Sequence, residues 1–221
     1  MKTLKDAKTI IVHELTSDDS DVRSKFLEHF GNDIENFAEA MAKTLFNWRS
    51  LDDQIRGNKK QAYVSAWVYT AINLHIISTK LFLSGYIVPA GNLCRQVVET
   101  MALALLCSSK ELNVLDRFIA NQYSTNKAID DLIRQAKKVG VNKNSAKILG
   151  QIQKFYHQYS HPNVLTIIDG MSFSKQGLCV GTTFDNGKLQ QGYAKEIQSR
   201  VNLAKVFNNF VDGIKFNVAK W

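Results

Sequence analysis

The sequence predicts an all-α protein, an up-down bundle of about six helices with a small β-hairpin inserted before the last helix. Apolar residues recur at three- and four-residue spacings over most of the chain, the periodicity of helices that bury one face. Only two prolines, Pro89 and Pro162, interrupt it, so long helices are possible. The 221 residues, 45% apolar and 22% charged, are an ordinary globular mixture, and we expect a single helical domain over residues 1–221.

Two long helices are predicted first. The first follows capping residues at 17–21 and ends near residue 56, with Gly31 as a point at which it can divide in two. Its apolar positions are Phe26, Leu27, Phe30, Ile34, Phe37, Met41 and Leu45. The second runs from about residue 60 to residue 84, and Gly85 closes it.

The third predicted helix follows residues 87–90, continues to about Cys107 and is apolar nearly all round, which is typical of the centre of a bundle. It nonetheless carries Arg95 and Glu99, which are four apart and share one face. Burying either charge alone is expensive, so each must pair with the other or with another polar group. One interpretation is a structural ion pair. The other is a site in which Arg95 holds an anionic ligand while Glu99 orients a histidine or acts as a base.

The fourth and fifth helices are predicted over about residues 111–139 and 144–160, ended by Gly140 and Pro162. On the fifth, one stripe holds Lys154, His157 and His161, and the opposite stripe holds Ile148, Ile152, Phe155 and Tyr159. We therefore expect the aromatic-aliphatic side to pack. The polar stripe is then either a solvated face, with His161 as a helix cap, or one wall of a groove closed by a second subunit, with Tyr156 as a further ligand contact.

The pattern changes after the fifth helix. Residues 177–184 are predicted to form a short strand, and Asp185-Asn186-Gly187 the turn of a hairpin, because Asn-Gly tolerates the positive φ angles of a type I′ turn. Residues 188–193 return as the partner strand. A last helix then carries apolar residues from Ile197 to Ile214.

Other kinds of site are disfavoured by the motifs. His157 and His161 have the spacing of a zinc pair, but the adjacent glutamate of His-Glu-x-x-His is missing, and Glu99 is the one further ligand that could reach. The chain also lacks phosphate-binding glycine loops and the nucleophile elbow of serine hydrolases. We predict no metal and no cofactor. His75 is predicted to be a packed core histidine.

The net charge of the chain and its cysteines indicate which binding partners and which cellular compartment to expect. A formal charge of +8 favours polyanions such as RNA, although the basic residues are spread along the chain. Cys94, Cys107 and Cys179 lack the spacing of a metal site and indicate free thiols in a reducing cytoplasm. The start of the chain lacks the apolar core of a signal peptide, and the most apolar stretch is too short to span a bilayer. We expect a cytoplasmic protein with no membrane partner.

Over residues 62–214 the chain resembles the HEPN-like helical bundles of prokaryotes. The resemblance is carried by the run Leu81-Phe-Leu-Ser-Gly-Tyr86, by Arg95-x-x-x-Glu99, by the segment from Tyr156 to Pro162 and by the hairpin expected before the last helix. It implies a homodimer and, by analogy with HEPN ribonucleases, metal-independent RNA cleavage by an arginine and a histidine. In the family motif four to six residues separate an arginine from the histidine that follows it; here Lys154, with six residues between it and His161, stands in the place of the arginine.

These observations combine into one leading hypothesis: a dimeric helical protein that binds RNA or another phosphate-bearing ligand. The predicted catalytic residues are His161, Arg95 and Glu99, and the predicted ligand-binding residues are Lys154, His157 and Tyr156. A ribonuclease of a defence or toxin system is the enzymatic form of this hypothesis. The alternative is a non-enzymatic interaction or scaffold module in which the Arg-Glu-His cluster is structural.

Overall fold

The computed structural model describes residues 3–55, 57–169, 171–172, 177–178 and 181–221. Within these ranges the chain forms nine α-helices and one short pair of antiparallel strands, which confirms the all-α class. The helices are α1 (Leu4–Thr16), α2 (Ser20–Gln54), α3 (Lys59–Leu83), α4 (Ile87–Ser108), α5 (Val114–Ile119), α6 (Ala128–Gln135), α7 (Lys143–His157), α8 (Val164–Asp169) and α9 (Ala194–Val218). The strands are β1 (Met171–Ser172) and β2 (Gly177–Leu178).

The long helices of the first half follow the sequence signals closely. α2 runs over 35 residues, and the division predicted at Gly31 takes the form of a kink at the preceding Phe30, whose φ of −127° and ψ of 19° are not helical. The side chain of Asn58 caps α3 by accepting from two backbone amides. Gly85, with φ at +85°, ends it as predicted, because glycine adopts this left-handed conformation without steric cost.

The central helix is α4, as its composition predicts. Thirteen of its 22 residues are buried, and it packs against α3, α6, α7 and α9. α9 also lies along α2. A smaller aromatic cluster around Phe26, Phe82 and Tyr193 joins the beginnings of α2 and α9. In the described part of the chain, no helix has both the length and the apolar character needed to cross a bilayer.

The prediction of one long helix over residues 111–139 is wrong. The chain instead forms α5 and α6 with 3-10 turns before each of them. Asn113 and Asn121 cause the interruptions, because both lie in the left-handed region, with φ at 50° and 56°, a conformation that asparagine tolerates better than most residues. The breaks let buried Val114, Leu115 and Leu132 join the main core.

The prediction of a β-hairpin over residues 177–193 is also wrong. Residues 186–188 form a 3-10 turn, and residues 189–193 form a π-helical turn that leads directly into α9. The Asp185 carboxylate accepts from the Gly187 amide at 2.8 Å, so it nucleates a local turn rather than a hairpin. The observed two-residue ladder pairs Met171 with Leu178 and lies before that turn. Residues 179–180 of the predicted strand lie outside the described residues.

Candidate functional site

The two predicted site segments meet where α4 passes the C-terminal end of α7. Arg95 Nε lies 2.8 Å from Glu99 Oε1, and Arg95 Nη1 donates to Ser160 Oγ at 3.1 Å. Ser160 Oγ in turn donates to Asn92 Oδ1 at 2.9 Å, and Gln153 Nε2 donates to Glu99 Oε1 at 3.1 Å. These five polar side chains, which we call the α4–α7 network, tie the two helices together.

The α4–α7 network lies at the edge of the core rather than inside it. The side chains of Arg95 and Glu99 retain 21% and 22% exposure, so the predicted pairing of the two charges is confirmed, but in a partly hydrated setting. Partial hydration lowers the desolvation cost of the pair. It also leaves part of the Arg95 side chain accessible to solvent.

Three predicted polar residues lie on the surface beside this network. Lys154, His157 and His161 are all exposed. The rings of His157 and His161 meet edge to face, with centroids 4.6 Å apart. A 3-10 turn over residues 158–160 separates them, and His161 itself is extended, with φ at −133° and ψ at 145°. Within the described residues, Arg95 bonds to Ser160, the neighbour of His161, rather than to either imidazole.

The predicted packing side of α7 is confirmed for Ile152 and Tyr159, which are partly buried against the main core, and wrong for the other two residues. Ile148 and Phe155 are 55% and 43% exposed. The buried positions of α7 are Ala146, Leu149, Gly150 and Tyr156. Two of these four are small, and a β-carbon at Gly150 would lie 3.1 Å from the Ile133 side chain of α6. The small residues Ala146 and Gly150 therefore allow side chains of α6 such as Ile133 to pack closely against α7.

Tyr156, predicted to contact a ligand, lies in the core instead. It is 1% exposed, and its hydroxyl is enclosed with no hydrogen-bond partner among the described residues. Burial raises the pKa of this phenol well above its usual range, and the Cys94 and Glu196 groups raise it further. The Arg200 guanidinium carbon lies 6.0 Å from the centre of its ring. Tyr156 is therefore a core residue and does not belong to the surface site.

Arg200 is the centre of a buried polar cluster that the sequence interpretation did not include. Its side chain is fully buried, and Nη2 lies 2.9 Å from Oε1 of Glu196. Nη1 donates to the Ser78 hydroxyl, and the guanidinium carbon lies 5.1 Å from the centre of the Phe82 ring. Glu196 and Arg200 have the same i, i+4 spacing as Arg95 and Glu99. This spacing is the sequence feature from which the buried ion pair could have been predicted.

His75 extends this cluster and is a packed core histidine, as predicted. It is fully buried, and its Nε2 lies 3.1 Å from the Arg200 carbonyl oxygen. Its ring stacks on Phe207 with centroids 5.4 Å apart. Burial and the nearby Arg200 charge lower the His75 pKa from 6.5 to about 3. The neutral ring therefore donates to the carbonyl and helps to join α3 to α9.

Neither buried cysteine has the character of a reactive thiol. Burial raises the pKa of Cys94 to about 11 and that of Cys107 to about 12, so both are protonated at neutral pH. Cys179 lies outside the described residues. Within the parts of the chain that the structure describes, no three His, Cys, Asp or Glu side chains come together as a candidate metal site.

The chain matches no protein-family model, no curated protein and no solved structure.

Proposed function

We propose that the surface where α4 meets the end of α7 binds a phosphate group of RNA or of another phosphate-bearing ligand. The observation that supports this proposal is the position of Arg95. Glu99 and Ser160 hold its Nε and Nη1 atoms, while the side chain stays 21% exposed. An arginine oriented in advance loses less side-chain freedom when it binds an oxyanion.

The exposed neighbours add positive charge and proton-transfer groups. Lys154 follows Gln153, which bonds to Glu99, and His161 follows Ser160, which bonds to Arg95. A phosphate at this surface would therefore meet an arginine fork, a flexible ammonium and two imidazoles. Arg95 comes from a second helix, and in this proposal it takes the place of the arginine missing before His161. The net charge of +8 favours a polyanion over a small neutral ligand.

The enzymatic form of the proposal is RNA cleavage without a metal. An imidazole would remove the proton of the ribose 2′-hydroxyl, whose oxygen then attacks phosphorus. The bond to the 5′-oxygen breaks, and a protonated group gives that oxygen its proton, so the products are a 2′,3′-cyclic phosphate and a 5′-hydroxyl. In this scheme His161 is the acid/base group, and Arg95 or Lys154 stabilises the charge on the phosphate oxygens.

A second function is favoured by the completeness of the α4–α7 network. Its hydrogen bonds join α4 to α7 through Arg95, Glu99, Gln153 and Ser160. A structural brace needs only these contacts. The alternative is therefore an interaction module in which the same residues hold α7 in place and contact no ligand.

One pair of variants separates the two functions. Arg95→Gln removes the positive charge that balances Glu99 and leaves that carboxylate with neutral donors such as Gln153, so it weakens both the fold and any binding. Arg95→Gln/Glu99→Gln keeps a hydrogen bond between neutral amides and removes the cation. If Arg95 binds phosphate, the double variant regains thermal stability but not affinity for a labelled single-stranded RNA, measured by fluorescence anisotropy. Wild-type affinity in the double variant overturns the proposal and supports the brace.

Cleavage is tested on the same RNA by separating the products on a denaturing gel in the presence of EDTA. The enzymatic form requires products with cyclic phosphate ends, and their loss in His161→Ala with RNA binding retained. Lys25→Ala is the matched control for charge effects, because Lys25 is an exposed residue of α2. Intact RNA with wild-type protein, under conditions where anisotropy shows it bound, reduces the function to binding alone.

A further inference from the structure

α1 carries an apolar stripe that none of the described residues of its own chain buries. The helix has no buried residue. Leu4, Ile11 and Leu15 are 87%, 53% and 79% exposed, and their spacing of seven and four places them on one face. A soluble surface rarely leaves such a stripe uncovered unless the stripe binds something.

The last turn of α1 is held against the rest of the chain. Tyr86 Oη donates to Glu14 Oε1 at 3.3 Å. The Glu14 carboxylate also occupies the space that a β-carbon at Gly181 would fill, and Gly181 has φ at +86°, so only glycine suits that position. These contacts anchor one end of α1 while its apolar stripe stays uncovered.

An apolar cleft lies elsewhere on the same chain, between α7 and α9. Both helices pack on α4, and two cavities of about 340 and 950 Å³ between them share Ile152 in their walls. Ile148 and Phe155 of α7 and Val206 of α9 are 55%, 43% and 39% exposed there. We call this surface the α7–α9 cleft.

The walls of the cleft have the spacing of a helix-packing seam. On α7, Ile148, Ile152 and Phe155 follow at intervals of four and three; on α9, Leu203, Val206 and Phe210 follow at three and four. Alternation of three and four is the pattern by which helices pack side by side. The seven-and-four spacing of the α1 stripe belongs to the same repeat, so α1 has the pattern of a third helix for this cleft.

We propose that α1 of a second copy of this chain docks in the α7–α9 cleft, and that two copies exchange these helices reciprocally. The lengths agree, because the 13 residues of α1 and the 15 of α7 correspond to about 20 and 22 Å of helix. A second copy provides the cleft without breaking the Glu14 anchor that holds α1 away from its own core. The inference does not depend on the proposed phosphate site.

The area is sufficient for a stable dimer. The three stripe residues Leu4, Ile11 and Leu15 are 87%, 53% and 79% exposed and present roughly 300 Å² of apolar surface, at about 100 Å² each, within the range of about 60–120 Å² for an aliphatic side chain. A similar area of the cleft is covered at the same time. Two reciprocal docking events then bury about 1,200 Å² in total, at the lower end of specific protein interfaces.

The test is complementation between two variants of the full chain, followed by sedimentation velocity. Ile11→Asp/Leu15→Asp disables the helix, and Ile148→Asp/Val206→Asp disables the cleft. Each is expected to weaken dimerisation at least tenfold and to sediment as a monomer where wild type is a dimer. An equimolar mixture forms a heterodimer that is weaker than the wild-type dimer, because only one of the two docking events remains: the intact helix of one variant fits the intact cleft of the other.

Several outcomes overturn the inference. One is a wild-type monomer at concentrations of tens of micromolar; another is a dimer that survives in the cleft variant, which indicates pairing of α1 with α1. An equimolar mixture that associates no more than either variant alone also overturns the inference. Phe46→Asp is the matched control, since Phe46 is 81% exposed on α2, and it is expected to leave the dimer unchanged. Circular dichroism confirms that each variant is folded.

Discussion

The Arg200 guanidinium lies 2.9 Å from the Glu196 carboxylate inside the core, with the arginine side chain wholly excluded from solvent. The pair sits on the first turns of α9 and reaches Ser78 on α3. Because α9 also packs against α2 and α4, this ion pair lies where four long helices meet. Its charges are balanced only as long as both partners are present.

Removing one partner is expected to be far more damaging than removing both. Glu196→Ala leaves an uncompensated guanidinium in the core and should lower the free energy of unfolding by about 3–5 kcal/mol. Arg200→Met/Glu196→Leu fills similar space with apolar groups and should recover most of that loss. Urea denaturation followed by circular dichroism measures both. A double variant as unstable as Glu196→Ala would contradict this account.

Stability is expected to fall as pH drops below neutral, with His75 as one cause. The unfolded chain protonates His75 near its ordinary pKa of 6.5, whereas the folded chain resists protonation down to about 3. The stabilising contribution is therefore fully present above pH 6.5 and is lost progressively as pH falls towards 3. The slope from this one group is at most about 1.4 kcal/mol per pH unit.

The measurement is the free energy of unfolding by urea between pH 7 and pH 4. His75→Gln keeps a donor for the Arg200 carbonyl and removes the titrating ring, so its stability should depend less on pH than that of wild type. His13→Gln, on the exposed α1, is the control that removes an imidazole outside the core. Parallel profiles for wild type and His75→Gln would show that His75 is not the source.

The end of α7 depends on the absence of a side chain at Gly91. A β-carbon there would lie 2.5 Å from Cγ of Tyr159, so Gly91→Ala should displace the tyrosine ring and cost about 1–3 kcal/mol. Hydrogen exchange should accelerate at residues 155–160. Gly31→Ala, where nothing lies within 4 Å, is the matched control and should be neutral or stabilising. Equal exchange in the two variants would exclude this role for Gly91.

The salt dependence of RNA binding should report on Lys154. If its ammonium contacts one phosphate, Lys154→Ala reduces the slope of log affinity against log salt by about 0.7. Lys25→Ala should leave the slope unchanged. The measurement is anisotropy with a labelled single-stranded RNA at four or more salt concentrations. An unchanged slope in Lys154→Ala would place the RNA away from the end of α7.

A helix or an ion pair can be predicted from the sequence when many residues, or residues that differ clearly from their neighbours, indicate it. α4 was predictable because nearly every position in it is apolar, and the Arg95–Glu99 pair because two charges stand out against that background. The same spacing at Glu196 and Arg200 was less visible, since Lys195, Gln198 and Ser199 surround it with polar residues. Its burial is decided by neighbouring helices.

The wrong structural predictions concern segments whose local sequence is compatible with two different structures. Asp185-Asn186-Gly187 is compatible with a hairpin turn, but the Asp185 carboxylate can also cap a 3-10 turn. The chain forms the 3-10 turn. On α7 the large apolar residues predicted the packing side correctly at Ile152 and Tyr159 but wrongly at Ile148 and Phe155. The helix is rotated so that Ala146 and Gly150 are buried, and the space at Gly150 is limited by Ile133 of α6.

The burial of α4 has a consequence for how this surface can change during evolution. Most positions of that helix are committed to the core, so Arg95 and Glu99 occupy places that substitution cannot easily move. Lys154, His157 and His161 are exposed and carry no such constraint. If the proposed surface binds a ligand, selection for a different ligand would therefore act first on the end of α7, while the packing of α4 holds the position of Arg95.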